Sequence, residues 1–250
     1  MGAIKWIGGV MGWAFGGVMG GIIGFAVGSM FDNAFTGEQV NSSPGGSGQA
    51  RMGRPQTQPG DFGVSLLILS AAVMNSDRQV LRSELDYVKE FFKRQFGQAK
   101  AESYISMLRE LLKQNIDLKE VCLQIKMYMD HASRLQLIHY LFGLSKADGH
   151  VHPDEVQTIR NISNWLGISI VDYESIQAMF IKSAESAYKI LEITPQATDE
   201  EVRKAYKRMA VKHHPDKVSH LGEDVQKAAN DKFKEVNSAY DRIKKERGLN

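Results

Sequence analysis

Apolar residues along most of the chain recur at intervals of three and four, the spacing that places side chains on one face of a helix. Leu66, Leu69 and Val73 open a stripe that Leu85, Val88, Phe91 and Phe92 continue. Tyr104, Leu108 and Leu111 give a second face, Leu118, Val121, Ile125 and Met129 a third, and Leu137, Ile138, Leu141 and Leu144 a fourth. No alternating strand run or hairpin turn pair interrupts them, so residues 61–182 are expected to form an all-helical bundle. Nearer the C-terminus, Val202, Ala205, Tyr206, Met209 and Ala210 make one stripe. Ala228, Phe233, Val236, Ala239, Tyr240 and Ile243 make another. Thr198 and Glu201 form a capping-box start for the first of these helices, and Pro215 stops it. Residues 185–250 are therefore expected to be a short helix followed by an antiparallel helical hairpin.

The first residues follow a different pattern. No charge falls between Lys5 and Asp32, and the uncharged run is long enough to cross a hydrocarbon core as a helix. Gly8, Gly12, Gly16, Gly20, Gly24 and Gly28 keep an unbroken spacing of four. On a helix they form one side-chain-free ridge where two backbones can approach closely. In water each glycine would cost about 1 kcal/mol relative to alanine, which disfavours a soluble helix. Trp6, Trp13 and Phe31 lie at or near the ends, where amphipathic rings favour the interface. Residues 1–35 are expected to be a single membrane helix that self-associates. Charge alone does not orient it. Residues 36–60, rich in Gly, Ser, Pro, Gln and Asn, have almost nothing to bury and read as a flexible tether.

Composition narrows the chemistry. Among 250 residues the formal net charge is +2, so no bulk polycation points to nucleic acid, and none is expected as a partner. The single cysteine, Cys122, excludes an intrachain disulfide framework and any C-x2-C metal spacing. Its apolar neighbours Val121, Leu123 and Ile125 suit a buried thiol. No Ser/His/Asp or nucleophile-elbow arrangement is present, so no catalytic residue, cofactor or enzymatic activity is expected.

The bundle has an internal echo. The stretch from Ser76 to Leu85 aligns without gaps with that from Ala147 to Val156, matching Asp77 with Asp148, Val80 with Val151 and Glu84 with Glu155. Each half thus has a helix ending at an Asp-led turn and a following helix opened by a carboxylate, with Pro153 suited to the first helical turn. This arrangement resembles the TerB-like family of tellurite-resistance-associated helical domains. The resemblance implies metal binding at the matching acids, which makes Asp77, Glu84, Asp148 and Glu155 weak metal candidates. Helix capping is the expected role. Asp148-x-His150-x-His152-x-Asp154 fails the calcium-loop pattern, which leaves two exposed turn histidines.

In the last quarter, Tyr188-x-x-Leu191, Ala197-Thr198-x-x-Glu201-Val202-x-x-Ala205-Tyr206, His213-His214-Pro215-Asp216-Lys217 and Phe233-x-x-Val236-x-x-Ala239-Tyr240 occur in order. Together they resemble the J-domain of DnaJ co-chaperones. One departure is Glu192, where that family usually has glycine; another is a somewhat longer loop at residues 218–224. The resemblance implies docking on a DnaK-type ATPase chaperone and acceleration of its ATP hydrolysis. The residues expected to carry it are His214, Pro215 and Asp216, with Arg203, Lys204, Lys207, Arg208, Lys212 and Lys217 supplying positive charge. Such a basic helix steers an acidic partner surface, and proline limits the ordering entropy lost on docking.

A membrane helix, a TerB-like bundle and a terminal J-domain, in that order, resemble the DjlA-type membrane-anchored co-chaperones. The resemblance implies a bacterial inner-membrane, single-pass protein with both folded domains in the cytoplasm. Its function would be to recruit the ATPase chaperone to clients at the membrane, with the membrane helix forming homo-oligomers. No Gly/Phe-rich segment or zinc repeat accompanies the J-domain pattern, so general client holding is not expected. The alternative is a metal-responsive envelope-stress module that uses the bundle.

Overall fold

The computed structural model describes residues 59–77, 79–114 and 116–249, with no strand among them. The expected membrane span and its ridge from Gly8 to Gly28 lie outside the described residues. Within the described residues no helix is long and apolar enough to cross a membrane. The chain divides into two units, Met1–Gln56 and Thr57–Asn250, and the second carries every described residue.

That unit begins with α1 (Pro59–Met74), α2 (Arg82–Phe96), α3 (Gln98–Leu111), α4 (Leu118–Tyr128), α5 (His131–Ser145), α6 (Pro153–Trp165) and α7 (Ile170–Phe180). Helix α1 starts inside the stretch expected to be tether, because Pro59 suits a first turn whose N–H would go unpaired anyway. Helices α1 and α5 are apolar nearly all round and are the buried axis of the bundle: Leu66, Leu67 and Leu69 on one, Leu137, Ile138, Leu141 and Phe142 on the other, are all fully covered. The remaining helices are amphipathic and pack around them. Asp117, Asp130 and Ser169 cap α4, α5 and α7, accepting from Glu120 N at 3.1 Å, Ser133 N at 2.9 Å and Asp172 N at 3.1 Å. Where α2 crosses α5, a Cβ added to Gly143 would lie 2.3 Å from the Tyr87 hydroxyl, so this glycine is what lets the two halves of the repeat close. Cys122 is buried, and burial pushes its thiol up to about 12, which leaves it a packing residue.

The chain continues through α8 (Ser186–Ile190), α9 (Asp199–Lys212), a 3-10 helix (Pro215–Leu221) and α10 (Glu223–Arg247). Leu191, Val202, Ala205, Met209, Val236 and Ile243 form the centre of this hairpin, and Ala178 and Met179 of α7 belong to the same cluster. The end of the last bundle helix is therefore packed into the hairpin's own core. Each large side chain in it contributes about 1.5–3 kcal/mol of burial. At the far end Arg247 donates to Ala197 O at 2.6 Å and Pro195 O at 2.7 Å and pairs with Asp199 at 3.1 Å, tying the end of α10 to the start of α9.

Two features differ from the sequence reading. Residues 218–221, expected as open loop, continue the 3-10 helix, because Val218 and Leu221 are drawn into the core. In the first half of α10 the buried residues are Val225, Ala229 and Lys232, whereas Ala228 and Phe233 are only half-buried. The cause is packing. This half of α10 faces α2 and α5 of the bundle as well as its own hairpin.

Candidate docking site

The site is built on α9. Thr198 Oγ1 accepts from Glu201 N at 3.3 Å, and Glu201 answers by accepting from Thr198 N at 2.7 Å, which fixes the helix start. Val202, Ala205 and Met209 are buried, and this sets the rotation of the helix: Arg203, Lys204, Lys207 and Arg208 all face solvent. Among the described residues Lys204 pairs only with Glu200, at 2.9 Å and in the open, which is worth little. Val211, 65% exposed, continues the same strip as an apolar end that sequence reading did not single out. Its only signal was its place off the buried stripe, four residues after Lys207.

His214 follows as the cap of the 3-10 helix. Its Nδ1 accepts from Asp216 N at 3.3 Å and lies 3.5 Å from Asp216 Oδ2, while the ring meets the Phe233 ring edge-on at 6.1 Å. Lys217 N donates to His214 O at 3.1 Å, so the turn is closed on both sides of Pro215. His214, Asp216 and Lys217 are exposed and Pro215 is half-buried. Five of the six expected cations are therefore exposed, together with His214 and Asp216 of the tripeptide.

Lys212 is used differently. It turns inward and forms ion pairs with Asp172 of α7 and with Glu192. Burial raises the Asp172 carboxyl, but hydrogen bonds from His131, Lys212 and Ser169 outweigh it and hold the group well below the usual carboxylate range. Glu192 has a φ of 58°, the left-handed conformation that glycine adopts freely and that explains the family's preference there. It closes α8 in a Schellman turn, with Ile193 N donating to Tyr188 O at 3.0 Å. Arg208 lies 3.9 Å from its carboxylate and also donates to Leu191 O at 3.2 Å. These links exchange some backbone strain for electrostatic anchoring of the docking helix.

The bundle also grips the far side of the tripeptide's turn. Gln95 of α2 donates to Leu221 O at 2.5 Å and accepts from Val225 N at 3.2 Å. His220 Nε2 lies 3.6 Å from Asp130 Oδ2, and Lys182 pairs with Glu235 at 2.8 Å. Neither Gln95 nor Asp172 stands out in the sequence, since each partner lies far away along the chain.

The four acids of the echo occupy equivalent places. Asp77 accepts from Gln79 N at 2.9 Å and Asp148 from His150 N at 2.8 Å. Glu84 accepts from Leu81 N at 2.7 Å and Glu155 from His152 N at 2.9 Å, each satisfying the start of its helix. The two glutamates are then buried near each other, and the charge of Glu155 adds to the rise that burial imposes on the Glu84 carboxyl. Among the described residues no group of three or more His, Cys, Asp or Glu is placed to hold a metal ion. His150 and His152 are exposed.

Comparison with known proteins gives three family matches along the chain: the Co-chaperone DjlA transmembrane domain over residues 1–51, Tellurite resistance protein TerB over residues 64–178, and the DnaJ domain over residues 186–247. A relative in Photobacterium profundum named Co-chaperone protein DjlA is 26% identical over 98% of this chain and 99% of its own length. One of the same name in Vibrio parahaemolyticus is 26% identical over 89% of this chain and 90% of its own. A Chaperone protein DnaJ of Acetobacter pasteurianus is 48% identical over 24% of this chain and 14% of its own. No solved structure matches.

Proposed function

We propose a mechanism on the premise that this chain is a DjlA-type co-chaperone, a bacterial membrane-anchored protein with a J-domain and a TerB domain. The J-domain implies a DnaK-type chaperone as partner. The exposed basic face of α9 attracts an acidic surface of that ATPase, and His214, Pro215 and Asp216 then make the short-range contact that accelerates ATP hydrolysis. The observation that carries this reading is the joint exposure of the turn and the helix before it. The tripeptide is closed into a rigid turn, half of its histidine is open to solvent, and Arg203, Lys204, Lys207 and Arg208 lie exposed on the helix leading into it. Val211 supplies an apolar contact at the end of that strip, and Lys217 lies one residue beyond the turn. Lys212 serves as an anchor to Asp172 instead of a contact with the ATPase.

The protein itself performs no catalysis in this scheme; the hydrolysis belongs to the partner. Residues 1–35 span the inner membrane once, residues 36–60 tether the folded part, and the TerB-like and J-domains face the cytoplasm, where ATP and the ATPase are found. The TerB-like bundle holds the J-domain in one orientation and selects the clients it meets at the membrane. Asp77, Glu84, Asp148 and Glu155 act there as caps of the two repeat turns. The test is steady-state ATP turnover by a DnaK-type chaperone with and without the protein.

Charge on α9 sets the encounter. Lys204→Glu with Lys207→Glu in one chain should raise the concentration needed for half-maximal stimulation by at least about tenfold at low salt. The difference should shrink as sodium chloride is raised, because exposed charges are screened within about 10 Å at 0.1 M ionic strength. A salt-independent loss would point to damaged structure instead of lost steering.

The glycine ridge is assigned to self-association. Gly16→Leu with Gly20→Leu places bulk on the face where backbones would meet. Cross-linking of the full chain in membranes should then lose its oligomeric bands; unchanged bands would remove the ridge from the interface.

A further inference from the structure

We propose that the seam between bundle and J-domain holds a site for one small monovalent anion of halide size, bound by Gln136, His213 and Lys232. The site goes beyond the co-chaperone reading and rests on geometry alone. A cavity of about 10 Å³, counted as room for the centre of a water-sized guest, lies where α5 meets the end of α9, the 3-10 helix and α10. Gln136 lines it from α5, His213 from the end of α9 and Lys232 from α10, with His214 and Lys217 also on its wall. Gln136 is 2% exposed, His213 4% and Lys232 2%.

The chemistry of this lining has one sign. No carboxylate takes part in it. The Nε2 atoms of Gln136 and His213 have no hydrogen-bond partner among the described residues. Lys212, at the edge, has its charge answered by Asp172 and Glu192, whereas Lys232 and Lys217 form no ion pair among the described residues. A buried polar atom without a partner costs about 1–3 kcal/mol, so two such nitrogens around one cavity, beside a lysine with no ion pair among the described residues, need an explanation. A single acceptor with a negative charge answers all of them, since hydrogen bonds to an ion are stronger than those to a neutral atom. The small volume suits a monatomic guest, which among common anions is a halide. Burial holds the Lys232 amine down to about 7, with Asp172 raising it and Lys212 lowering it, and an anion beside it would favour the charged form.

An anion here would join α5 of the bundle to α9 and α10 of the J-domain directly behind His214. Its occupancy would therefore brace the docking turn from the inside. The measurement is the resonance line width of chloride in solution with the full chain in detergent micelles, against micelles alone. Excess broadening that bromide displaces is expected for wild type. It should be lost in Lys232→Met and in Gln136→Leu, and kept in Lys204→Gln, which removes a cation from the outer surface. If Lys232→Met fails to fold by circular dichroism, Gln136→Leu decides, because it leaves the lysine in place. Absence of excess broadening in wild type, or equal broadening in wild type and Gln136→Leu, overturns the proposal and makes the cavity a water site.

Discussion

His214→Gln should lower the maximal stimulation of the partner's ATP hydrolysis by at least about tenfold, equivalent to about 1.4 kcal/mol of lost transition-state support. The imidazole does two things at once in the turn. Its Nδ1 accepts from Asp216 N, and its ring lies edge-on to Phe233, so the side chain organises the backbone that presents Asp216. With Nδ1 accepting, the neutral ring carries its proton on Nε2 and offers one N–H outward as a donor. Glutamine can supply an amide donor but has neither the ring nor the fixed geometry, and its flexible stem must be ordered on docking. Stability should change by no more than about 0.5 kcal/mol, because half of the side chain is open to solvent. The measurement is single-turnover ATP hydrolysis by a DnaK-type chaperone, with thermal unfolding of both proteins as control. Stimulation within about twofold of wild type would remove the histidine from the mechanism.

The helical architecture and the exposed basic strip of α9 were legible because both are local. The stripe of Val202, Ala205 and Met209 fixes which way α9 turns, and with it the outward placement of Lys204 and Lys207. His214-Pro215-Asp216 is a contiguous signal. What the chain did not disclose is set by contacts between distant segments. Lys212 reads as one more docking cation until α7 brings Asp172 to it. Lys232 sits at helical spacing between Ala229 and Val236, on the buried stripe, and a lysine in such a place reads as solvated until α5 covers it. The 3-10 helix after Pro215 follows from burial of Val218 and Leu221 against a surface that only the folded bundle supplies. The same limit applies to the echo of Asp77 and Asp148. Sequence showed two equivalent turns, but only the packing of α2 and α6 against α1 and α5 brings Glu84 and Glu155 together.

That contact between Glu84 and Glu155 has a consequence for stability. Burial, first of all, pushes the Glu84 carboxyl up to about 7; the hydrogen bond from Leu81 N opposes this, and the nearby charges of Glu155 and Asp77 add to it. Burial raises Glu155 as well. Glu84 is 4% exposed and Glu155 6%, so neither carboxylate can relax into solvent, and the charge of Glu155 disfavours ionisation of Glu84. A group whose folded value lies above its unfolded one takes up a proton on folding. Its contribution is complete below the unfolded value, near 4.5, and is lost as pH rises through about 7. Wild type should therefore lose about 1–3 kcal/mol between about pH 5 and pH 8 from this pair. Glu84→Gln keeps an oxygen to accept from Leu81 N and offers an amide donor to Glu155, without a charge at any pH. The variant should hold its stability across that range and exceed wild type by about 1–3 kcal/mol at about pH 8. Urea unfolding of the full chain in micelles, followed by far-ultraviolet circular dichroism, gives both curves. Parallel pH profiles, or a variant weaker than wild type at the alkaline end, would show that folding does not raise the Glu84 carboxyl. The expected crossing of the curves would place a titratable joint between the two halves of the TerB-like repeat.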